Sequence, residues 1–250
     1  MSSAVLVIAG GLFALSVASG MLGLGVAFAA VPFLGFFMPD LGHQVQPLSL
    51  FLNGVTALFA AFGFARSGHV SWRPAILLTA VTATVAPLGS WLAQYVAQGW
   101  LWVIYLLAVG YLAWQMFHQT KRESDTSAAP NLRLALLLAA PIALLAGLLG
   151  VGPGFLLMPV LILVGFAPKN AAGINAVAVT LPSFTALIPH ISTAQVDLQL
   201  AGVLIVVGAV GSFLGARLTS RFVSGPVLKR VFGILIVVMT AVKVATLLTS

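Results

Sequence analysis

Long apolar segments, almost free of charged residues, fill most of this 250-residue chain. Hydrophobic residues make up 61% of it and charged residues 6%, a balance that excludes a soluble globular domain. In lipid, every backbone N–H and C=O must be paired within the protein, so such segments form helices. The segments fall at about 4–19, 26–38, 47–64, 74–96, 100–117, 133–149, 154–166, 171–190, 199–219 and 228–248. The sequence predicts an all-α polytopic membrane protein, one domain over 1–250, with about eight to ten membrane helices.

One polar stretch, residues 118–132, divides the segments into two sets of five and is predicted to be a linker. The two sets are also related in sequence, because residues 20–34 align with residues 147–161 without a gap. The first members of the identical pairs are Gly20, Leu22, Gly23, Gly25, Phe28, Pro32 and Leu34. Chance similarity between apolar sequences would not place glycine and proline in register. We therefore predict two repeats, 1–117 and 133–250.

Equivalent loops of the two repeats have opposite charge character. Residues 66–73 carry two arginines, whereas the equivalent loop 191–198 carries only an aspartate. Lys/Arg-rich loops stay in the cytoplasm. The basic stretches 66–73, 118–133 and 217–230 are then inside, and 97–99 and 191–198 are outside. This predicts inverted repeats, a cytoplasmic linker and both termini outside.

Each repeat begins with two short segments separated by a glycine-rich turn, at 20–25 and 147–154. Segments 4–19 and 26–38 would be roughly 24 and 20 Å long as helices, against a hydrocarbon core of about 30 Å. We therefore expect neither to span the membrane alone and each turn to lie at membrane depth. Inverted repeats with interrupted helices are typical of secondary transporters.

The repeated pattern Gly-x-x-Gly-x-Gly…Phe…Pro resembles the TauE/SafE family, also called TSUP or sulfite exporter-like permeases. This resemblance implies transport of sulfite, an organosulfonate or another small anion across the bacterial inner membrane. Two departures bear on it: Val26-Ala27 and Pro153-Gly154 stand where the family usually has consecutive glycines. Related thiosulfate importers rely on cysteines, and this chain has none.

The glycine turns are the first candidates for a binding site. A short helix beginning near Phe28 or Phe155 directs unpaired N–H groups and a positive dipole end into the protein, where an anion can bind. The candidate residues of the turns are Gly23, Gly25, Gly150, Gly152 and Gly154. The alternative is that these glycines only permit close helix packing.

Polar residues in the third segment of each repeat are the second group of candidates. Asn53 and Thr56 in repeat 1, and Asn175, Thr180 and Ser183 in repeat 2, are predicted to donate hydrogen bonds to an oxyanion. Interhelical hydrogen bonding, worth about 0.6 kcal/mol on average, is the alternative role.

His190 is the candidate for proton coupling, because it ends an apolar segment and histidine titrates near neutral pH. Interfacial placement near the outer surface is the alternative. The four acidic residues, Asp40, Glu123, Asp125 and Asp197, fall in loops or at segment ends. No metal site, cofactor or catalytic residue is predicted, and we expect no enzyme activity.

These observations predict a secondary transporter for a small anion, with its site between the repeats. A passive anion channel is the first alternative, and a membrane-embedded assembly subunit is the second. The predicted partners are the substrate and the lipid bilayer; nucleic acid is not among them, because the net charge of +7 follows from topology. The oligomeric state is left open.

Overall fold

The structure, a computed structural model, describes residues 3–38, 40–93, 95–96 and 130–224, and the single positions 100, 107, 227 and 234. Within these residues every regular element is helical, and six helices are long and apolar enough to cross a membrane. The prediction of an all-α polytopic membrane protein is confirmed. The predicted segments 100–117 and 228–248 and most of the linker lie outside the described residues.

Eight α-helices are numbered here in chain order. They are α1 Ser3–Leu22, α2 Ala27–Leu34, α3 Gln46–Ala65, α4 Trp72–Ala93, α5 Leu132–Leu149, α6 Gly154–Leu163, α7 Pro168–Leu187 and α8 Leu198–Phe222. A π-helical turn, Leu41–Val45, precedes α3, and a 3-10 turn, Ile188–His190, follows α7. The repeats therefore correspond as α1 with α5, α2 with α6, α3 with α7 and α4 with α8.

Of the two segments predicted to be short at the start of each repeat, only the second forms a short helix in the structure. Helices α2 and α6 have 8 and 10 residues, too few to cross a bilayer. The expectation that segment 4–19 cannot span alone is wrong, because α1 has 20 residues, is about 30 Å long and qualifies as a span. The helix continues past the apolar segment to Leu22, and the Ser19 hydroxyl within it donates to the Leu15 carbonyl at 2.7 Å.

Long helices pack side by side in the spatial order α1, α8, α3, α7, α4, α5. The two outer pairs of this row, α1 with α8 and α4 with α5, are equivalent in the two repeats. The helices of each pair pack closely because a glycine without a side chain lies at the contact. A Cβ on Gly215 of α8 would clash with the Val17 carbonyl of α1, and one on Gly89 of α4 would clash with the Leu144 carbonyl of α5. The sequence Gly211–Gly215 thus marks close helix packing.

Helices α3 and α7 run in opposite directions. The start of α7 lies beside the end of α3, because Gly173 contacts the His69 carbonyl in the loop that follows α3. It also lies beside the end of α8, because the Lys169 Nζ donates to the Ser220 carbonyl at 3.2 Å. Since α3 and α7 are equivalent helices, the repeats are inverted in the structure.

Charged residues separate to the two ends of the helix row. Every Lys and Arg among the described residues lies at the end where α3 and α8 finish and α4, α5 and α7 begin: Arg66, Arg73, Arg133, Lys169, Arg217 and Arg221. The two described acidic residues, Asp40 and Asp197, lie at the opposite end. This distribution fits a membrane protein whose basic end faces the cytoplasm.

Candidate functional site

Two equivalent glycine turns lead into the short helices α2 and α6. Gly23 and Gly25 have φ of +64° and +71°, and Gly150 and Gly152 have φ of +67° and +73°. For other L-residues a left-handed backbone costs roughly 1–2 kcal/mol per residue. The turns thus need glycine for their own geometry, and both interrupt the chain in its buried interior, as the sequence predicts.

Helix α3 caps the first short helix with two fully buried side chains. The Val26 N–H donates to the Thr56 hydroxyl at 3.1 Å, and the Ala27 N–H donates to Asn53 Oδ1 at 2.7 Å. These are two of the amides that a helix start leaves without an intrahelical partner. Two of the amide groups at the start of this helix are therefore hydrogen-bonded to the protein itself in this conformation.

Asn53 also joins the two repeats. Its Nδ2 donates to the Ser183 hydroxyl of α7 at 2.8 Å, and Ser183 in turn donates to the Val179 carbonyl at 2.6 Å. A Cβ on Gly25 would clash with the oxygen of the Asn53 amide, and a Cβ on Gly152 would clash with its nitrogen. Asn53 is thus enclosed between both glycine turns.

Asn175 of α7 ties the two turns together from the other side. Its Nδ2 donates to the Gly23 carbonyl at 2.9 Å and to the Gly154 carbonyl at 3.0 Å. Asn53 and Asn175 each occupy the eighth position of their helix, and these helices are antiparallel. Asn53 bonds Ser183, which follows Asn175 by eight residues in α7, so the two asparagines lie roughly 12 Å apart along the helix axis.

Two predicted residues lie apart from this group. Thr180 is half-buried, donates to the Ala176 carbonyl of its own helix and lines a lateral pocket of about 330 Å³ with mostly apolar neighbours. His190 ends the 3-10 turn at the acidic end of the molecule and is half-buried there. Gly150 remains in its turn, facing the Gln46 side chain.

Sequence reasoning missed the aromatic pair between the short helices. The rings of Phe28 and Phe155 stack with centroids 5.0 Å apart and planes 12° from parallel. The two phenylalanines occupy the same position in the aligned repeats, and this is the sequence signal that could have identified them. It also missed Ser212 of α8, whose hydroxyl donates to the Thr56 carbonyl at 2.7 Å and holds α8 against α3.

The centre of the molecule is polar but uncharged. Asn53, Thr56, Asn175 and Ser183 are fully buried, and the charged side chains of the described residues lie at the two ends. A charge in the centre would therefore interact mainly with backbone dipoles and amide groups. Within the described residues no group of three or more His, Asp or Glu could hold a metal ion.

At the acidic end, the backbone N–H of His43 donates to the Asp40 carboxylate, and this bond lowers the pKa of that exposed carboxyl.

Inverted repeats, six helices able to span a membrane and interrupted helices around a buried polar centre define a membrane protein with the architecture of secondary transporters. The chain belongs to the sulfite exporter TauE/SafE family, whose family model matches residues 7–242. This confirms the family resemblance seen in the repeated glycine pattern.

Two similar proteins come from strains of Xylella fastidiosa, and both bear the name "Probable membrane transporter protein". The protein of strain 9a5c is 27% identical over 230 residues, covering 88% of this chain and 87% of that protein. The protein of strain Temecula1 is 29% identical over 233 residues, with the same shares covered. No solved structure matches the chain. Family and relatives together make this protein a multi-pass membrane transporter.

Proposed function

We propose that the protein is a secondary transporter that carries a small anion, sulfite or an organosulfonate, across the bacterial inner membrane. The anion passes the buried centre between the two repeats. The observation that carries this proposal is the pair of opposed glycine turns, each of which starts a short helix inside the protein. A helix N-terminus attracts an anion without any charged side chain, and no carboxylate of the described residues lies near this centre to repel it. Transport, with no chemical conversion of the anion, is the expected activity.

The charge distribution supports an orientation with the basic end in the cytoplasm. All described Lys and Arg residues lie at that end, and Asp40 and Asp197 lie at the other. Helix α1 starts at the acidic end, since it runs parallel to α8 and α3. The N-terminus is then outside, and an odd number of crossings in each repeat also places the C-terminus outside.

Transport by the purified protein in proteoliposomes tests the proposal. Uptake of sulfite, sulfoacetate, taurine and thiosulfate would be compared with uptake by empty liposomes. We expect uptake of sulfite or a sulfonate that is accelerated when the same unlabelled anion is enclosed in the liposome. Uptake without this acceleration would instead support a passive anion channel. No uptake of any of these anions would contradict the proposed substrate class.

His190 is proposed as the residue that couples transport to protons. Its position at the acidic end, which the orientation places outside, gives it access to external protons. Replacing it by glutamine, His190→Gln, keeps a polar side chain of similar size but removes the titration. The dependence of uptake on external pH should flatten in this variant. A profile identical to that of the wild type would remove His190 from the mechanism.

A further inference from the structure

The two short helices differ at one pair of equivalent backbone amides. Ala27 and Gly154 align in the two repeats, and the Ala27 N–H is capped by Asn53. Thr180, the equivalent of Asn53, donates to its own helix instead. Among the described residues the buried Gly154 N–H has no acceptor, and its neighbour Pro153 has no N–H to offer. At this pair of positions the first helix therefore has its amide bonded to Asn53, whereas the second keeps its amide as a donor.

Beside Gly154, the side chain of Asn175 has an acceptor oxygen that receives no hydrogen bond among the described residues. Its Oδ1 is buried and has no partner within the described residues, while its Nδ2 bonds to the carbonyls of Gly23 and Gly154. Those two carbonyls fix the orientation of the amide, since the exchanged orientation would place oxygen against two oxygens. Buried donors and acceptors are costly when they stay unpaired. A ligand that satisfies both must itself contain an acceptor and a donor.

We propose that this centre selects a monoanionic oxyanion that still carries a hydroxyl donor, the chemistry of hydrogensulfite, HOSO₂⁻. An anionic oxygen accepts from the Gly154 N–H, and the hydroxyl donates to Asn175 Oδ1. This inference rests on the proposed transport of a small anion through the same centre. It makes Asn175 the residue that distinguishes the protonated anion from the dianion.

Charge favours the same form of the ligand. A helix N-terminus is equivalent to about half a positive charge, and the central side chains are neutral. The cost of removing an ion from water rises steeply with its charge, so a dianion would be poorly compensated here. A dianion also presents only lone pairs to Asn175 Oδ1. A monoanion without a donor would leave this oxygen unpaired.

The pH dependence of binding that arises from the protein must be distinguished from the pH dependence that arises from protonation of the ligand. Around Asn175 the titratable groups of the protein are Lys169 on its own helix, Arg73 at the start of α4 and His69 in the loop beside Gly173. Helices α1, α2, α3 and α6 carry none. Methanesulfonate keeps one negative charge over the relevant pH range and has no donor. The ratio of sulfite affinity to methanesulfonate affinity therefore cancels effects that the protein exerts on both anions.

The test measures the dissociation constants of total sulfite and of methanesulfonate for the reconstituted wild-type protein. The measurements are made at pH values that span the conversion of hydrogensulfite to the dianion. The affinity ratio should favour sulfite at the acidic end and fall about tenfold per pH unit once the dianion predominates. A ratio that stays constant or rises with pH would overturn the inference while leaving anion transport intact. Failure to bind either anion would contradict the proposed function itself.

The variant Asn175→Ala should reduce the affinity ratio at acidic pH about tenfold or more, because the acceptor is lost. Thr219→Val is the control, since Thr219 is also buried with an unpartnered hydroxyl but lies near the basic end of α8. It should keep the wild-type ratio. If Asn175→Ala folds and retains the wild-type pH dependence, Asn175 is not the selecting residue. If it does not fold, the wild-type pH series still decides.

Discussion

At the scale of single residues, Asn53 supports more of the central geometry than any other side chain described. It caps α2 through its oxygen and binds α7 through its nitrogen, and both glycine turns lie against it. Its amide is thus used by the protein itself. Asn175 has one end of its amide free, so the two asparagines differ in what they can offer a ligand.

Removing the Asn53 amide should destabilise the protein. Asn53→Ala leaves the Ala27 N–H without an acceptor and opens a cavity at a fully buried position. We expect the free energy of unfolding to fall by about 2–4 kcal/mol, measured by chemical denaturation in detergent micelles. Thr84→Ala is the control, because that exposed hydroxyl bonds only to its own helix. Equal stability of the two variants would show that the Asn53 contacts contribute nothing.

The left-handed glycines give a second prediction at this scale. Gly152→Ala places a Cβ at a φ of +73° and against the Asn53 amide, so we expect loss of about 2 kcal/mol or more and of transport. Gly10→Ala, in helix α1 with open space around it, should be neutral or slightly stabilising. Wild-type stability of Gly152→Ala would mean that the turn can rearrange. The double variant Gly152→Ala, Asn53→Ala should lose less free energy of unfolding than the sum of the losses in the two single variants.

At the scale of helices, backbone contact at glycine holds the outer pairs of the row together. Gly215 allows α8 to touch α1, and the equivalent Gly89 allows α4 to touch α5. Small residues serve this purpose in membranes because packing, rather than hydrophobic burial, drives helix association. The same contact therefore occurs at equivalent places in the two outer pairs.

Adding one methyl group at this contact should separate the pair. In Gly215→Ala the new Cβ would meet the Val17 carbonyl, so α1 and α8 must move apart, at a cost of about 1–3 kcal/mol. Gly202→Ala lies in the same helix with nothing within 4 Å and should not destabilise. Comparing the apparent unfolding temperatures of the two variants tests this. A stable Gly215→Ala protein would show that the pair is loosely packed.

At the scale of the whole molecule, inversion of the repeats places every described cationic side chain at one end. Ser71 is at this end, in the loop before α4, and Ser192 is at the other end, in the exposed loop before α8. Because the chain has no cysteine, a single introduced thiol can report which side each loop occupies.

Labelling with a membrane-impermeant maleimide in intact cells tests the orientation. Ser192→Cys should be labelled directly, and Ser71→Cys only after permeabilisation, because the proposed orientation places the basic end in the cytoplasm. The unsubstituted protein is the control and should stay unlabelled. Labelling of Ser71→Cys alone in intact cells would reverse the proposed orientation.

Much of this architecture follows from the sequence by itself. Composition determined that the chain is embedded in a membrane, because too few polar residues are present for any other solvent. Matched glycines at 23, 25, 150 and 152 marked both turns, since a left-handed backbone is a local requirement that glycine alone meets cheaply. Inversion followed from charge, because basic loops stay on one side.

Only the tertiary structure decided which of these local features are open to a ligand. Asn53 and Ala27 are 26 residues apart, and Asn175 and Gly23 are 152 apart, so no local pattern could show that they meet. Both Thr180 and Asn53 were candidates from the sequence, yet the Thr180 hydroxyl donates to its own helix, whereas the Asn53 amide caps another helix. The sequence thus located the two turns, and packing between distant helices paired the Ala27 amide but left the equivalent Gly154 amide without an acceptor among the described residues.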